Sequence, residues 1–334
     1  MLKVAIIGLG VGFKHLEALF HHDACHLVAA CDFDKARLKE VENRYPDLQT
    51  TTSADELFID PAIDFVSIAT YDEYHAQQVI NALENQKHVF VEKPICLSLE
   101  ELKKIKACLL ANPHLQLSSN LNLRTCPRFL HLRDQIQQGK LGTPFAIEAD
   151  YLWGRLFKLT DGWRKDTPGY SVIHGAAVHV IDLICWLLGE KPVEVMGMGN
   201  RLCTKGSRFK EDDFSSCLLG FESGVVAKVS ANAGCIHPHW HNLSVSGTLG
   251  SYIHNVNGAQ YIFKKGEEFD FEPDSREYPA KRDRSYLIQS FVDTIIDKST
   301  EEIITQKDVL DIMSICFAAE KSIQTKKNIP ISFK

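Results

Sequence analysis

Over roughly the first 120 residues, short apolar runs alternate with segments whose apolar residues recur at helical spacing: 4–7, 16–20, 27–31, 36–41, 65–69, 79–83 and 89–91. Such alternation predicts strand-helix crossover units and a parallel sheet covered on both faces, the doubly wound Rossmann arrangement. Beyond Pro127 the texture changes. A helix is predicted over 129–138, an apolar run over 145–153, and a second helix over 177–188 that stops at Gly189. Strand-like segments follow at 193–201, 214–221, 225–231, 243–246 and 260–263, separated by Gly, Asn and charged residues as in an antiparallel sheet. Two helices with three-and-four apolar spacing, 286–296 and 307–325, close the chain. The expected fold is α/β: a Rossmann domain over 1–121, then an α+β domain over 122–334 with a large, mostly antiparallel open sheet. A C-terminal helix is expected to return to the first domain.

Composition agrees with two globular domains: 334 residues, 45% hydrophobic and 24% charged. A net charge of -6, with no long basic run, speaks against general nucleic-acid binding and in favour of a small ligand. The apolar run 2–7 contains Lys3 and ends at Gly8, so it reads as a buried strand, not as a signal peptide or membrane span. Ten cysteines without a C-x-x-C pair suggest neither a zinc knuckle nor a disulfide framework, and a reducing cytoplasm fits them.

The first strand runs into Gly8-Leu9-Gly10-Val11-Gly12-Phe13 and then an amphipathic helix. Glycines allow positive φ and close backbone approach, and a helix N-terminus offers unpaired N–H groups to a pyrophosphate. The spacing departs from G-x-G-x-x-G, because the third glycine comes one residue early and Phe13 takes its usual place. Asp32, at the end of the second strand, suits the adenosine ribose hydroxyls and repels a 2′-phosphate, favouring NAD over NADP; Asp34 is the alternative ribose ligand. Lys93 follows a parallel strand at its carboxyl end, and Pro94 stiffens the turn. A cation held there suits a carbonyl oxygen or a developing alkoxide. Ser98 and Glu101 have capping-box spacing for the helix that follows.

Several further motifs occur in a fixed order: Ser67-Ile68-Ala69-Thr70 with His75, Glu92-Lys93-Pro94, Arg124 with Pro127, Gly139-Lys140-Leu141-Gly142, Gly162-Trp163-Arg164, and His179-Val180-Ile181-Asp182. With the glycine turn, His15 and Asp32, they resemble over nearly the whole chain the glucose-fructose oxidoreductase, inositol dehydrogenase and rhizopine catabolism family. That resemblance implies an NAD(P)-dependent enzyme acting on CH–OH groups of a sugar, inositol, nucleotide-sugar or other polyol, and a homodimer or homotetramer built on the open sheet. It implies that Gly8, Gly10, Val11, Gly12, Phe13, Asp32, Thr70, His75, Glu92 and Lys93 bind cofactor. It also implies that Lys93 belongs to the active site and that His179 exchanges the substrate proton.

An imidazole titrates near neutral pH, as carbinol oxidation requires. Asp182, three residues on, either supports His179 or ties its helix to the nucleotide domain. Many family members carry an aspartate four residues before the histidine, where this chain has Gly175; His174, Lys93 or a substrate hydroxyl would supply the missing function. Arg124, Trp163, Arg164, His237 and His239 are the substrate-contact candidates; Trp163-Arg164 and the stretch Tyr151-Leu152-Trp153-Gly154-Arg155 supply hydrogen-bonding and stacking groups for a hydroxylated or anionic ligand, or else pack between the domains. His237, His239 and His241 alternate on a strand edge, and substrate-pocket lining or a sheet-interface position suits them better than a metal. Two other readings stand beside the dehydrogenase: an NAD-dependent glycoside hydrolase and a non-catalytic dinucleotide-binding regulator.

Overall fold

A computed structural model describes residues 1–279 and 285–333. The chain forms two compact units, Met1–Asn120 with Arg282–Leu310, and Leu121–Lys281 with Asp311–Lys334.

The first unit holds six parallel strands: β1 (Leu2–Ile7), β2 (Cys25–Cys31), β3 (Gln49–Thr51), β4 (Phe65–Ile68), β5 (His88–Val91) and β6 (Leu117–Ser119). Their order, β3-β2-β1-β4-β5-β6, is that of a dinucleotide-binding sheet. Helices α1 (Gly12–Phe20), α2 (Lys35–Arg44), α3 (Ala54–Ile59), α4 (Asp72–Glu84) and α5 (Leu99–Ala111) alternate with the strands. Val4 to Ile7 and Phe65 to Ile68 are all buried, as strands covered on both faces require. The capping box of α5 forms as its spacing predicts: Glu101 N–H donates to Ser98 Oγ (3.2 Å), and Ser98 N–H donates to Glu101 Oε2 (3.0 Å).

The second unit holds α6 (Pro127–Gln137), β7 (Pro144–Leu152), the short α7 (Phe157–Thr160), α8 (Val178–Leu188), β8 (Pro192–Asn200), β9 (Phe214–Phe221), β10 (Val226–Asn232), β11 (Trp240–Gly247), β12 (Gly250–Asn255), β13 (Gly258–Lys265) and β14 (Glu268–Pro273). With β15 (Ile329–Pro330) the strands form one nine-stranded sheet, β14-β13-β12-β11-β7-β10-β9-β8-β15, in which β7 and β10 pair in parallel and the rest antiparallel. A π turn, Ile173–Ala177, leads into α8, and Gly189 ends α8 in the left-handed conformation (φ 67°).

The last two helices are α9 (Tyr286–Ile296) and α10 (Gln306–Thr325). α9 belongs to the first unit, where Phe291 meets Phe65 and Phe90 (ring centroids 5.7 and 5.9 Å). β3, β6, β12, β14 and β15 escape the sequence reading because none carries a clear apolar run.

Candidate active site

In the first unit, β1 delivers the glycine turn. Gly8 sits at φ +88°, and a Cβ there would lie 2.5 Å from the Ala69 carbonyl oxygen, so both conformation and close approach demand glycine. A Cβ on Gly12 would meet Ala69 Cβ at 3.0 Å and Ile6 at 3.4 Å, tighter than ordinary packing. Gly12 therefore performs the close helix-strand packing expected of a third glycine. Phe13 is half-buried instead, its ring 5.2 Å from the Arg44 guanidinium carbon.

No side chain caps the start of α1, and its first turn carries no acid. Backbone donors at that end are thus available to an anion, and the set fits a dinucleotide pyrophosphate. Asp32, 4% exposed, accepts from Leu9 N–H (2.6 Å) and Asp34 N–H (2.8 Å), bracing the turn from the end of β2. Asp34 caps α2 through Ala36 N–H (2.9 Å). Arg37 Nη1 stands 3.6 Å from Asp32, and Arg37 Nε 3.6 Å from Asp34.

The carboxyl ends of β4 and β5 are tied together. His75, fully buried, places Nδ1 2.7 Å from the Pro94 carbonyl oxygen and Nε2 3.2 Å from that of Thr70, whose hydroxyl donates to Gln78 (2.7 Å). Glu92 lies 3.4 Å from His15 Nε2 and accepts from Asn120 Nδ2 (2.7 Å), while His15 Nδ1 meets Ser67 Oγ at 2.9 Å. Burial pushes the Glu92 carboxyl up, but His15, Asn120 and the charge of Lys93 outweigh it and hold the group at about 2. Lys93 is half-buried and precedes a cis peptide at Pro94. The cofactor candidates thus cluster at the carboxyl ends of β1, β2, β4 and β5, where such sheets bind ligands.

In the second unit, α8 lays His179, 7% exposed, over Tyr151 of β7, with ring centroids 5.9 Å apart and planes within 8°. His241 pairs across from Tyr151 in the β7-β11 ladder, so both point to the same face. His241 and His239 ring centroids lie 4.7 and 5.1 Å from Tyr151, and 5.2 Å from each other. Tyr278 shares a hydrogen bond with His241 Nδ1. Among the described residues, no three His, Cys, Asp or Glu side chains converge as a metal-ligand set.

The other candidates sit elsewhere in this unit. Asp182 accepts a fork from Arg124, Nη2 at 2.6 Å and Nε at 3.0 Å, with both side chains buried. Through Nε and Nη2 the guanidinium anchors α8. His174 does not join His179. It is fully buried, its ring 4.6 Å from Phe317 and its Nε2 3.7 Å from Glu320, both on α10. A Cβ on Gly175 would fall 2.1 Å from the Tyr170 hydroxyl, so the volume where an aspartate would begin is filled. His237 turns its Nδ1 to the Pro238 carbonyl oxygen (2.7 Å), outside the Tyr151 group. The Arg164 guanidinium carbon stands 4.1 Å from the Trp163 ring centroid.

Sequence reasoning passed over Tyr278 and placed His241 only as one of three alternating histidines on a strand edge. Only alternation with His239 pointed to His241, and nothing local marks Tyr278.

A doubly wound unit with an open glycine turn, in one chain with a unit whose sheet carries a histidine-bearing helix, defines a dinucleotide-binding oxidoreductase. Comparison with known proteins makes this specific. The chain belongs to the GFO/IDH/MocA oxidoreductase family: its NAD-binding Rossmann fold matches over residues 2–118 and its C-terminal domain over 129–253. NAD is the cofactor of that first domain. The chain is similar to the scyllo-inositol 2-dehydrogenase (NAD(+)) of Bacillus subtilis (strain 168), 25% identical over 354 residues, covering 100% of this chain and 97% of that one. It is also similar to the 1,5-anhydro-D-fructose reductase of Ensifer adhaerens, 31% identical over 185 residues, 54% of each chain. In fold it resembles levoglucosan dehydrogenase solved with NADH and levoglucosan, at a TM-score of 0.86, 20% identity and 100% coverage of both chains.

Proposed function

We propose that this chain catalyses the reversible oxidation of a secondary alcohol of a sugar, inositol or related polyol, with NAD preferred over NADP. The observation that carries the proposal is His179, fixed by α8 and stacked on Tyr151 within a cluster of titratable rings. Relatives that act on inositols and on an anhydrosugar support the substrate class.

NAD supplies the acceptor for the hydride. Gly8, Gly10, Val11, Gly12 and Phe13 would hold its pyrophosphate and Asp32 would bind its ribose, while Thr70, His75 and Glu92 order the turns around Lys93. His179 takes the hydroxyl proton, and the Lys93 ammonium steadies the oxygen as negative charge builds on it. Asp182 acts through Arg124 to fix the register of α8. His174 packs against α10, so the proton falls to His179 alone.

Ten cysteines without a C-x-x-C pair support a reducing cytoplasm as the location. Met196, Met198, Leu218 and Val226 share one face of the nine-stranded sheet and are each about half exposed or more, which supports burial against a second copy.

The test is NADH formation on a panel of inositols, anhydrosugars and hexoses together with hexuronic acids and hexose phosphates. Lys93→Ala and His179→Ala should each lose at least about a hundredfold in kcat. Glycoside cleavage without net NADH, or NADH binding with no turnover on any panel member, would overturn the dehydrogenase reading.

A further inference from the structure

We propose that the substrate carries an oxyanion, the carboxylate of a sugar acid or the phosphate of a sugar ester, held by Arg164 together with Lys158 and Arg155. The inference rests on the dehydrogenase reading and deepens it by naming the substrate class.

Arg164 belongs to a short 3-10 turn, Trp163–Asp166, and its guanidinium carbon lies 4.1 Å from the ring of Trp163, 5.5 Å from Tyr170 and 5.6 Å from Trp153. Aromatic faces stabilise the cation and fix its plane, yet they accept none of its five N–H bonds as a carboxylate would. Its Nε is buried, and among the described residues no acceptor meets it. A structural arginine would normally have that donor satisfied.

Two more cations gather beside it. The half-buried Lys158 ammonium is pushed below its ordinary value by burial first, then by the charges of Arg164 and Arg155. Among the described residues no carboxylate pairs with any of the three. The neighbouring acids are engaged elsewhere: Asp161 accepts from the Thr160 hydroxyl (2.9 Å) and Asp166 pairs with Arg208 (2.6 Å). Stacking on tryptophan would explain one arginine. It does not explain three like charges assembled without a counter-ion, an arrangement that costs the folded chain until an anion arrives.

The position suits a substrate group. Trp153 stands two residues beyond Tyr151 and continues the ladder of β7, its N–H donating to Asn232 (2.8 Å). Residues two apart on a strand share a face about 7 Å apart. Tyr151 supports His179, and Trp153 supports Arg164. One sugar ring can therefore present its carbinol to His179 and its oxyanion to the cations.

The test is calorimetric titration of the whole protein in saturating NADH with D-glucuronate, D-galacturonate and D-mannuronate, the matching hexoses, and the matching hexose 6-phosphates. At least one acid or ester should bind about thirtyfold or more tighter than its neutral partner, and the hexuronate and phosphate arms identify the source of the oxyanion. That preference should shrink with added salt and collapse in Lys158→Met, a half-buried position whose folding is checked by circular dichroism. Neutral hexoses binding as tightly as their acids, no anionic sugar binding at all, or a preference unchanged in Lys158→Met would overturn the inference. Tight anion binding with no NADH formation when NAD replaces NADH would instead sink the dehydrogenase reading and leave the anion site standing.

Discussion

The contact between Gly175 and Tyr170 gives the sharpest test of how this helix is built. An alanine Cβ at 175 would stand 2.1 Å from the Tyr170 hydroxyl, 2.6 Å from its Cζ and 3.0 Å from Cε2. Relief needs a movement of about 1 Å or more to restore van der Waals separation. The ring has little room to yield: Tyr170 is fully buried, with Phe209 at 6.1 Å, Trp163 at 6.4 Å and the Arg164 cation at 5.5 Å. Overpacking of this kind costs about 1–3 kcal/mol, and the better helix propensity of alanine returns up to about 1 kcal/mol. Gly175→Ala is expected to lose about 1–2 kcal/mol in urea unfolding followed by circular dichroism. Gly175→Asp should lose more, because it adds a charge in a buried position. Tyr170→Leu vacates the contested space, so the double variant should cost at least about 1 kcal/mol less than the sum of the single changes. An alanine variant as stable as the parent, or strict additivity in the cycle, would refute the steric reasoning.

Asp182→Ala should cost about 3–5 kcal/mol, since it removes the carboxylate to which the buried Arg124 donates through Nε and Nη2, whereas Arg124→Met with Asp182→Leu should recover much of the loss in the same assay. Asp32→Ala should weaken NADH binding by about tenfold or more in calorimetry through the loss of the Leu9 anchor, and unchanged affinity would remove Asp32 from the cofactor site. Burial and the Arg128 charge hold the His254 imidazole at about 3, so the folded chain refuses a proton that the unfolded chain accepts below about 6.5. That contribution to stability is whole above pH 6.5 and is lost as pH falls towards 3. The depressed Glu92 carboxyl adds its own loss only between about 4.5 and 2. Between pH 7 and 5, then, His254→Gln should flatten the fall in unfolding free energy by up to about 2 kcal/mol, and an unchanged slope would show that His254 is not the group responsible.

What sequence could reveal depended on how far the controlling interaction reached along the chain. The Ser98-Glu101 capping box and the Gly189 stop are decided within one turn of helix, and both formed as their spacing predicts. The early glycine could be read as a departure but not interpreted, because its meaning lies in the distance from Gly12 to Ala69, 57 residues away in the chain. His174 and His179 show the same limit on one segment. Five residues apart, they point about 140° from one another around an ideal helix, and the π turn shifts the phase again. One imidazole consequently meets Phe317 while the other meets Tyr151. Adjacency to the missing aspartate made His174 attractive in sequence, although side-chain direction, not proximity along the chain, decides which histidine can reach a substrate. The same argument raises His241 above His237: both lie on one alternating segment, but only His241 has entered the β11 ladder and is fixed opposite Tyr151. Roles on this face are therefore assigned by strand register and helix phase, which depend on residues far apart in the chain.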